Sequence, residues 1–112
     1  MIVMISARKP ELESTVDERF GRCACLIKVD TETDQWEAFT NPGASQSGGA
    51  GVAAAQFVVD KKCAVVISGD FGPNAFHAFQ AANVEMRLFG SGVTTVQQAV
   101  DAYRQGSLPL KQ

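Results

Sequence analysis

Histidine, tryptophan and tyrosine each occur once in this 112-residue chain, and cysteine occurs three times. Each scarcity excludes something. Cys23, Cys25 and Cys63 are an odd number with no C-x-x-C spacing, so neither a disulfide framework nor a zinc site can be read, and the usage fits a reducing compartment. His77 stands on the flank of an apolar stripe, where a solvent-edge role is expected, and nothing in the spacing brings it to a cysteine as a nucleophile pair. Charge of one sign is also lacking. Ten basic and twelve acidic residues leave a net charge of -2, which gives no footprint for duplex nucleic acid or an anionic membrane. No apolar run approaches the roughly 18 residues of a membrane helix. Met1–Ser6, followed by Arg8 and Lys9, lacks the basic start, longer apolar stretch and cleavage site of a signal peptide. The expected location is cytoplasmic.

What is present is the composition of one globular α/β domain spanning 1–112, with 46% apolar and 20% charged residues. Residues 1–6 read as a strand buried on both faces, and 7–22 as a long, mobile loop. Two strands, 25–30 and 35–40, flank the turn signal Thr31-Glu-Thr-Asp34 and form a hairpin. After the glycine-rich stretch 41–51, a helix is expected over about 49–60. The continuous apolar run 64–68 suits a central parallel strand. Pro73 suits the first turn of a second helix, with Phe76, Phe79 and Ala82 as its buried stripe. Val84–Phe89 reads as a fifth strand. Thr94 or Thr95 should cap a last helix ending near Tyr103, and the tail from Gly106 should be loose. The order β-β-β-α-β-α-β-α implies a mixed five-stranded sheet with helices packed on it, the first strand lying between the hairpin and the later parallel strands.

Three loops should gather at the ends of neighbouring strands, where open α/β sheets bind ligands. They are Asp17–Cys23, Ser47–Gly51 and Ser68–Asn74. Two of them run into helix N-termini, where free N–H groups and the helix dipole favour an anion. Glycine at Gly48, Gly49, Gly51, Gly69 and Gly72 lets a ligand reach the backbone, and Asn74 lies in the first turn of its helix. Neither a P-loop nor a dinucleotide fingerprint is present. Arg19 and Arg22, flanking Phe20-Gly21, suit an anion clamp or an ion pair with Asp17 or Glu18. Cys23 and Cys25, if extended, project from one face about 7 Å apart. Cys25 is expected to be buried; Cys23, beside Arg22, is the better ligand. Cys63 reads as packing. Asp17 and Glu18 are adjacent and expected to be exposed, and no carboxylate pair suggests acid–base catalysis.

At these loops the chain resembles the nitrogenase iron–molybdenum cofactor biosynthesis accessory family. The resemblance runs through Val16-Asp-Glu-Arg-Phe-Gly-Arg-Cys23, Asn41-Pro42, Gly48-Gly-Ala-Gly51, Val66-Ile-Ser-Gly-Asp-Phe-Gly-Pro-Asn-Ala75 and Thr94-Thr-Val96. It implies a ribonuclease H-like fold without nuclease activity. It also implies a carrier, not an enzyme, for an iron–sulfur, iron–molybdenum or other molybdenum-containing sulfide cluster or its precursor. A cluster-donating or cluster-receiving protein would be its partner. Members dedicated to nitrogenase often carry histidine before Phe-Gly. Here that position is Arg19, which moves the expected contacts to Cys23, the arginines and backbone N–H groups. The reading from the residues alone keeps another possibility, a regulatory or interaction domain that binds a small anion or nucleotide without metal.

Overall fold

The computed structural model describes residues 1–111. Its sheet has five strands: β1 (Ile2–Ala7), β2 (Cys25–Asp30), β3 (Trp36–Thr40), β4 (Val65–Ser68) and β5 (Glu85–Leu88). Their spatial order is β3-β2-β1-β4-β5. The hairpin β2–β3 is antiparallel, and β2 pairs antiparallel with β1, while β4 and β5 run parallel to β1. This is the mixed sheet expected from the element order, and the ribonuclease H-like arrangement that the family resemblance implies. The helices are α1 (Ala50–Asp60), α2 (Pro73–Ala81) and α3 (Val96–Arg104), with short 3-10 turns at Phe20–Arg22 and Pro42–Ser45.

Strand periodicity divides the core in two, because successive side chains point to opposite faces. Met4, Leu26, Val66 and Met86 face α1 and α2 through Ala54, Ala55, Val58 and Phe79. Val3, Ile5, Ile27, Val65 and Ile67 face α3 through Val96, Ala99 and Val100. The central strands β1 and β4 are covered on both sides, so their apolar residues run without alternation. In α2 the buried stripe is Ala75 and Phe79, with Phe76 half-buried; Ala82 lies just beyond the helix and is exposed.

Two segments are better anchored than their composition suggests. The stretch 7–22 is not a free loop: Val16 pairs with Ala7, and Thr15 with Thr95. The Asp17 N–H donates to the Ser6 carbonyl (3.1 Å) and the Val16 N–H to the Thr94 carbonyl (2.9 Å). Phe20 then enters the core, edge-on to Phe79 with centroids 5.3 Å apart. The tail from Gly106 is likewise held. Leu108 is buried, Leu110 pairs with Arg87, and the Leu88 and Lys111 N–H groups donate to Pro109 and Met86. Gln112, the last residue of that tail, lies outside the described residues. Chain segments rich in polar residues can dock on an open sheet edge through backbone hydrogen bonds, which composition does not reveal.

Candidate functional site

Ser6, next to last in β1, and Ser68, last in β4, lie at the same edge of the sheet and are fully buried. Ser6 Oγ lies 2.6 Å from the Asp17 carbonyl oxygen and 2.7 Å from Ser68 Oγ. A carbonyl only accepts, so the single Ser6 proton goes to Asp17, and Ser68 can donate to Ser6. The pair fastens the segment after Val16 across the strand ends. Gly69 permits the crossing, because a Cβ there would stand 2.7 Å from Glu18 Cα. Arg19 then bridges to Asp70 in a parallel pairing, and the Phe20 N–H reaches the Asp70 carbonyl at 3.4 Å.

The Asp17 carboxylate is buried and accepts from the Arg19 N–H (3.0 Å), Nε (3.3 Å) and Nη2 (3.3 Å). Of the two roles open to Arg19, the ion pair with Asp17 is therefore formed, yet its side chain remains 71% exposed. The hydrogen bond to Asp17, and then that carboxylate's charge, raise the Arg19 pKa. The guanidinium carries its positive charge throughout the physiological range. Arg22 is exposed and donates from Nη1 to the Gln46 carbonyl (2.6 Å), joining the first loop to the second. Both arginines are thus fixed at one end and face solvent at the other.

The second loop is pinned by Asn41, which is wholly buried. Its Nδ2 lies 2.9 Å from the Cys23 carbonyl, 3.2 Å from that of Gly21 and 3.4 Å from that of Phe20, while its Oδ1 accepts from the Gly43 N–H (2.9 Å). Glycine is required where these loops meet. A Cβ on Gly43 would fall 2.4 Å from the Ala50 carbonyl oxygen, and one on Gly21 would fall 3.0 Å from the Gly51 nitrogen. Gly51 is in turn close to the start of α2: its Cβ position lies 3.7 Å from Ala75 Cβ.

The N-termini of α1 and α2 therefore lie side by side. Neither is capped by a side chain, since Gly49 and Gly72 hold the N-cap positions. A Cβ on Gly48, Gly49 or Gly72 would meet nothing within 4 Å, so these glycines open outward, and Asn74 is exposed beside them. The N–H groups of Ala50, Gly51 and Val52, and of Asn74 and Ala75, precede the first intrahelical bonds, which start at the Ala53 and Phe76 N–H groups. Two helix dipoles and two arginines favour an anion here, while exposed Glu18 and Asp70 offset part of the arginine charge.

The three loops singled out in the sequence thus converge, but not all of their residues face outward. Phe20 is a core anchor, stacked among Phe71 and Phe79. The burial expected of Cys25 falls on Cys23 instead, whose thiol donates to the Phe20 carbonyl at 3.2 Å. Burial, and next the Asp17 charge, push the Cys23 pKa up to about 12, so it is a protonated thiol at neutral pH. Cys25 is half-buried. Cys63 is buried, as expected of a packing residue, and His77 is exposed at the edge of α2. Asp17, expected on the surface, is the buried anchor of the first loop. Among the described residues no group of three or more histidine, cysteine or carboxylate side chains could hold a metal ion. Sequence reasoning missed the structural roles of Asn41, Ser6 and Ser68. An asparagine directly before Pro42 is a turn-initiation signal that would have pointed to the first of them.

The chain is an α/β domain that brings two uncapped helix starts together at the carboxyl ends of parallel strands, where open α/β sheets commonly bind ligands. The chain matches the dinitrogenase iron–molybdenum cofactor family over residues 1–106, and it belongs to that family. Among solved structures it is similar to the apo form of the orange protein from Desulfovibrio gigas, at 36% identity and a TM-score of 0.91, covering 98% of this chain and 92% of that one. A NifB-like protein from Thermotoga is 33% identical with a TM-score of 0.83, covering 97% and 91%. A dinitrogenase-like protein from Methanocaldococcus jannaschii, 12% identical with a TM-score of 0.72 over 100% and 95%, shares the fold. Comparison with curated proteins finds no match. No helix among the described residues is long and apolar enough to cross a membrane.

Proposed function

We propose that this chain binds or carries a molybdenum-related metal–sulfur cluster or its precursor in the cytoplasm, as cargo and not as a catalyst's cofactor. The observation that carries the reading is the pairing of the α1 and α2 starts, uncapped and open, with Arg19 and Arg22 beside them. The donor set decides what kind of cargo suits it. A bare metal ion needs several convergent thiolate, imidazole or carboxylate ligands, and none are gathered here. A cluster whose metals are already coordinated by sulfide presents only an anionic, weakly accepting surface. Backbone N–H groups and guanidinium forks match that surface without displacing a ligand. The contact set we favour is Arg19, Arg22, Gly48, Gly49, Gly51, Gly72 and Asn74. Phe20, Gly21, Gly69 and Cys23 shape the cradle from below. Membership of the cofactor family supports the same cargo class, and a protein that donates or receives the cluster would complete the transfer.

The test is anaerobic titration with tetrathiomolybdate, a simple soluble molybdenum sulfide anion, with inorganic phosphate as the comparison. Retention of molybdenum and sulfide through gel filtration, with a shifted visible band, is expected. Phosphate binding without retention of the thiomolybdate would instead favour a metal-free regulatory domain that holds small oxyanions.

A further inference from the structure

Resting on that reading, we propose that Asn41 is the positioning residue of the cradle: its buried amide sets the distance between the arginine-bearing turn and the start of α1. Four acceptors lie within reach of one amide nitrogen. They are the Cys23, Gly21 and Phe20 carbonyls and, at 3.4 Å, Cys23 Sγ. An amide nitrogen has two hydrogens. The two shorter contacts, to Cys23 O and Gly21 O, take them, and the Phe20 carbonyl is served by the Cys23 thiol at 3.2 Å. The acceptor side of the same amide holds the Gly43 N–H and so begins the turn Pro42–Ser45.

The two halves of Asn41 therefore grip two different loops. The donor half holds the turn Phe20–Arg22, which carries Arg22 and follows directly on Arg19, and the acceptor half holds Gly43, packed under Ala50 at the start of α1. Gly21, Gly43 and Gly51 meet at backbone contact, so a small change in either grip moves the α1 start relative to Arg19 and Arg22. Among the described residues, no other side chain hydrogen-bonds the Gly21 carbonyl. The loops are also joined by the bond from exposed Arg22 to the Gln46 carbonyl and by the Asn41 N–H to the Ala24 carbonyl (3.0 Å). Asn41 also faces Cys23 in its protonated form, which supplies the thiol donor that the second amide contact leaves room for.

Substitutions separate the two halves. Asn41→Ser keeps an oxygen that can accept from Gly43 but replaces the two amide hydrogens with one shorter O–H donor. Asn41→Asp keeps the acceptor and turns a carboxylate toward three carbonyls. Tetrathiomolybdate affinity is measured for the wild type, both variants and Val100→Ala, a core change in α3, on the opposite face of the sheet from α1 and α2, that lowers stability without touching the cradle. Supporting groups behind a binding site commonly alter affinity tenfold or more, so Asn41→Ser should bind about tenfold more weakly, and Asn41→Asp more weakly still. Amide chemical-shift changes in the free Asn41→Ser protein should concentrate at 20–23 and 43–51. Affinity in Val100→Ala should match the wild type despite its lower Tm. Equal affinity in wild type and Asn41→Ser, or an equal loss in Asn41→Ser and Val100→Ala, overturns the positioning role while leaving the cargo reading intact. Failure of the wild type itself to bind the probe overturns that reading, and this inference with it.

Discussion

The start of α3 and the starts of α1 and α2 solve the same problem in opposite ways. Every helix begins with backbone N–H groups that have no partner within the helix. At α3 they are satisfied internally: Thr95 accepts from the Gln98 N–H (3.2 Å), and the Gln98 side chain accepts from the Thr94 and Thr95 N–H groups (2.7 and 3.1 Å). At α1 and α2 glycine holds the cap position and no side chain closes the end. A capping box contributes about 1 kcal/mol or more, so leaving two neighbouring helices open costs stability that the same chain shows it can recover elsewhere. The difference separates a helix start closed by its own side chains from two that no side chain closes, the two where the proposed cargo would sit.

The sharpest way to break this contrast is to fill the contact beneath the open starts. Gly43→Ala should cost about 3 kcal/mol in urea unfolding, because its Cβ meets backbone that cannot yield without moving α1. Thiomolybdate uptake should fall with it. The floor of the cradle also has a pH signature. The Cys23 pKa rises from an ordinary 9.0 to about 12 in the folded protein. The folded state thus favours the protonated thiol. The contribution is full below pH 9 and is lost as pH rises from there toward 12. Cys63, raised by burial to about 11, adds to the same slope. In Cys23→Ser the fall of Tm between pH 9 and 11 should be shallower. Removing both Arg19 and Arg22 as alanines should weaken uptake about tenfold, with the remaining affinity carried by backbone N–H groups. Thr95→Ala should cost about 1 kcal/mol and leave uptake unchanged, since that end is closed by its own side chains and lies outside the proposed cradle. Smallest in stability is Gly72→Ala, which has open space around its Cβ and a φ of -66°. Its Tm should stay within a degree or two, or rise slightly through the unfolded chain. Its uptake should nevertheless fall, because the methyl group would stand in the open space where the proposed cargo approaches the backbone.

Much of the architecture was legible before any coordinates. The apolar run Val65–Ser68 and the turn at Thr31–Asp34 dictate a central strand and a hairpin, and the placement of β1 between them follows from connection rules. Glycines ahead of two helices, with Arg19 and Arg22, marked the loops that do converge. The sequence misled where a long-range partner overrode local character. Asp17 is polar and adjacent to Glu18, yet it is buried because Arg19 and its own loop satisfy it. Cys23 looks accessible beside Arg22, yet Phe20 entering the core carries it inward. The tail from Gly106 has the composition of a loose end, but β5 would otherwise present an unpaired edge, and Leu108–Lys111 covers it. Asn41 carried no periodicity or charge signal at all; its role exists only once three distant carbonyls are brought around it.

The most direct measurement is an anaerobic NMR titration of the labelled protein with tetrathiomolybdate, following each amide. The account predicts that the largest shifts fall on the Ala50–Val52 and Asn74–Ala75 amides and on the Arg19 and Arg22 side chains, with Thr95–Gln98 unmoved. Shifts centred on α3, or spread evenly over the surface, would contradict the cradle at the paired helix starts.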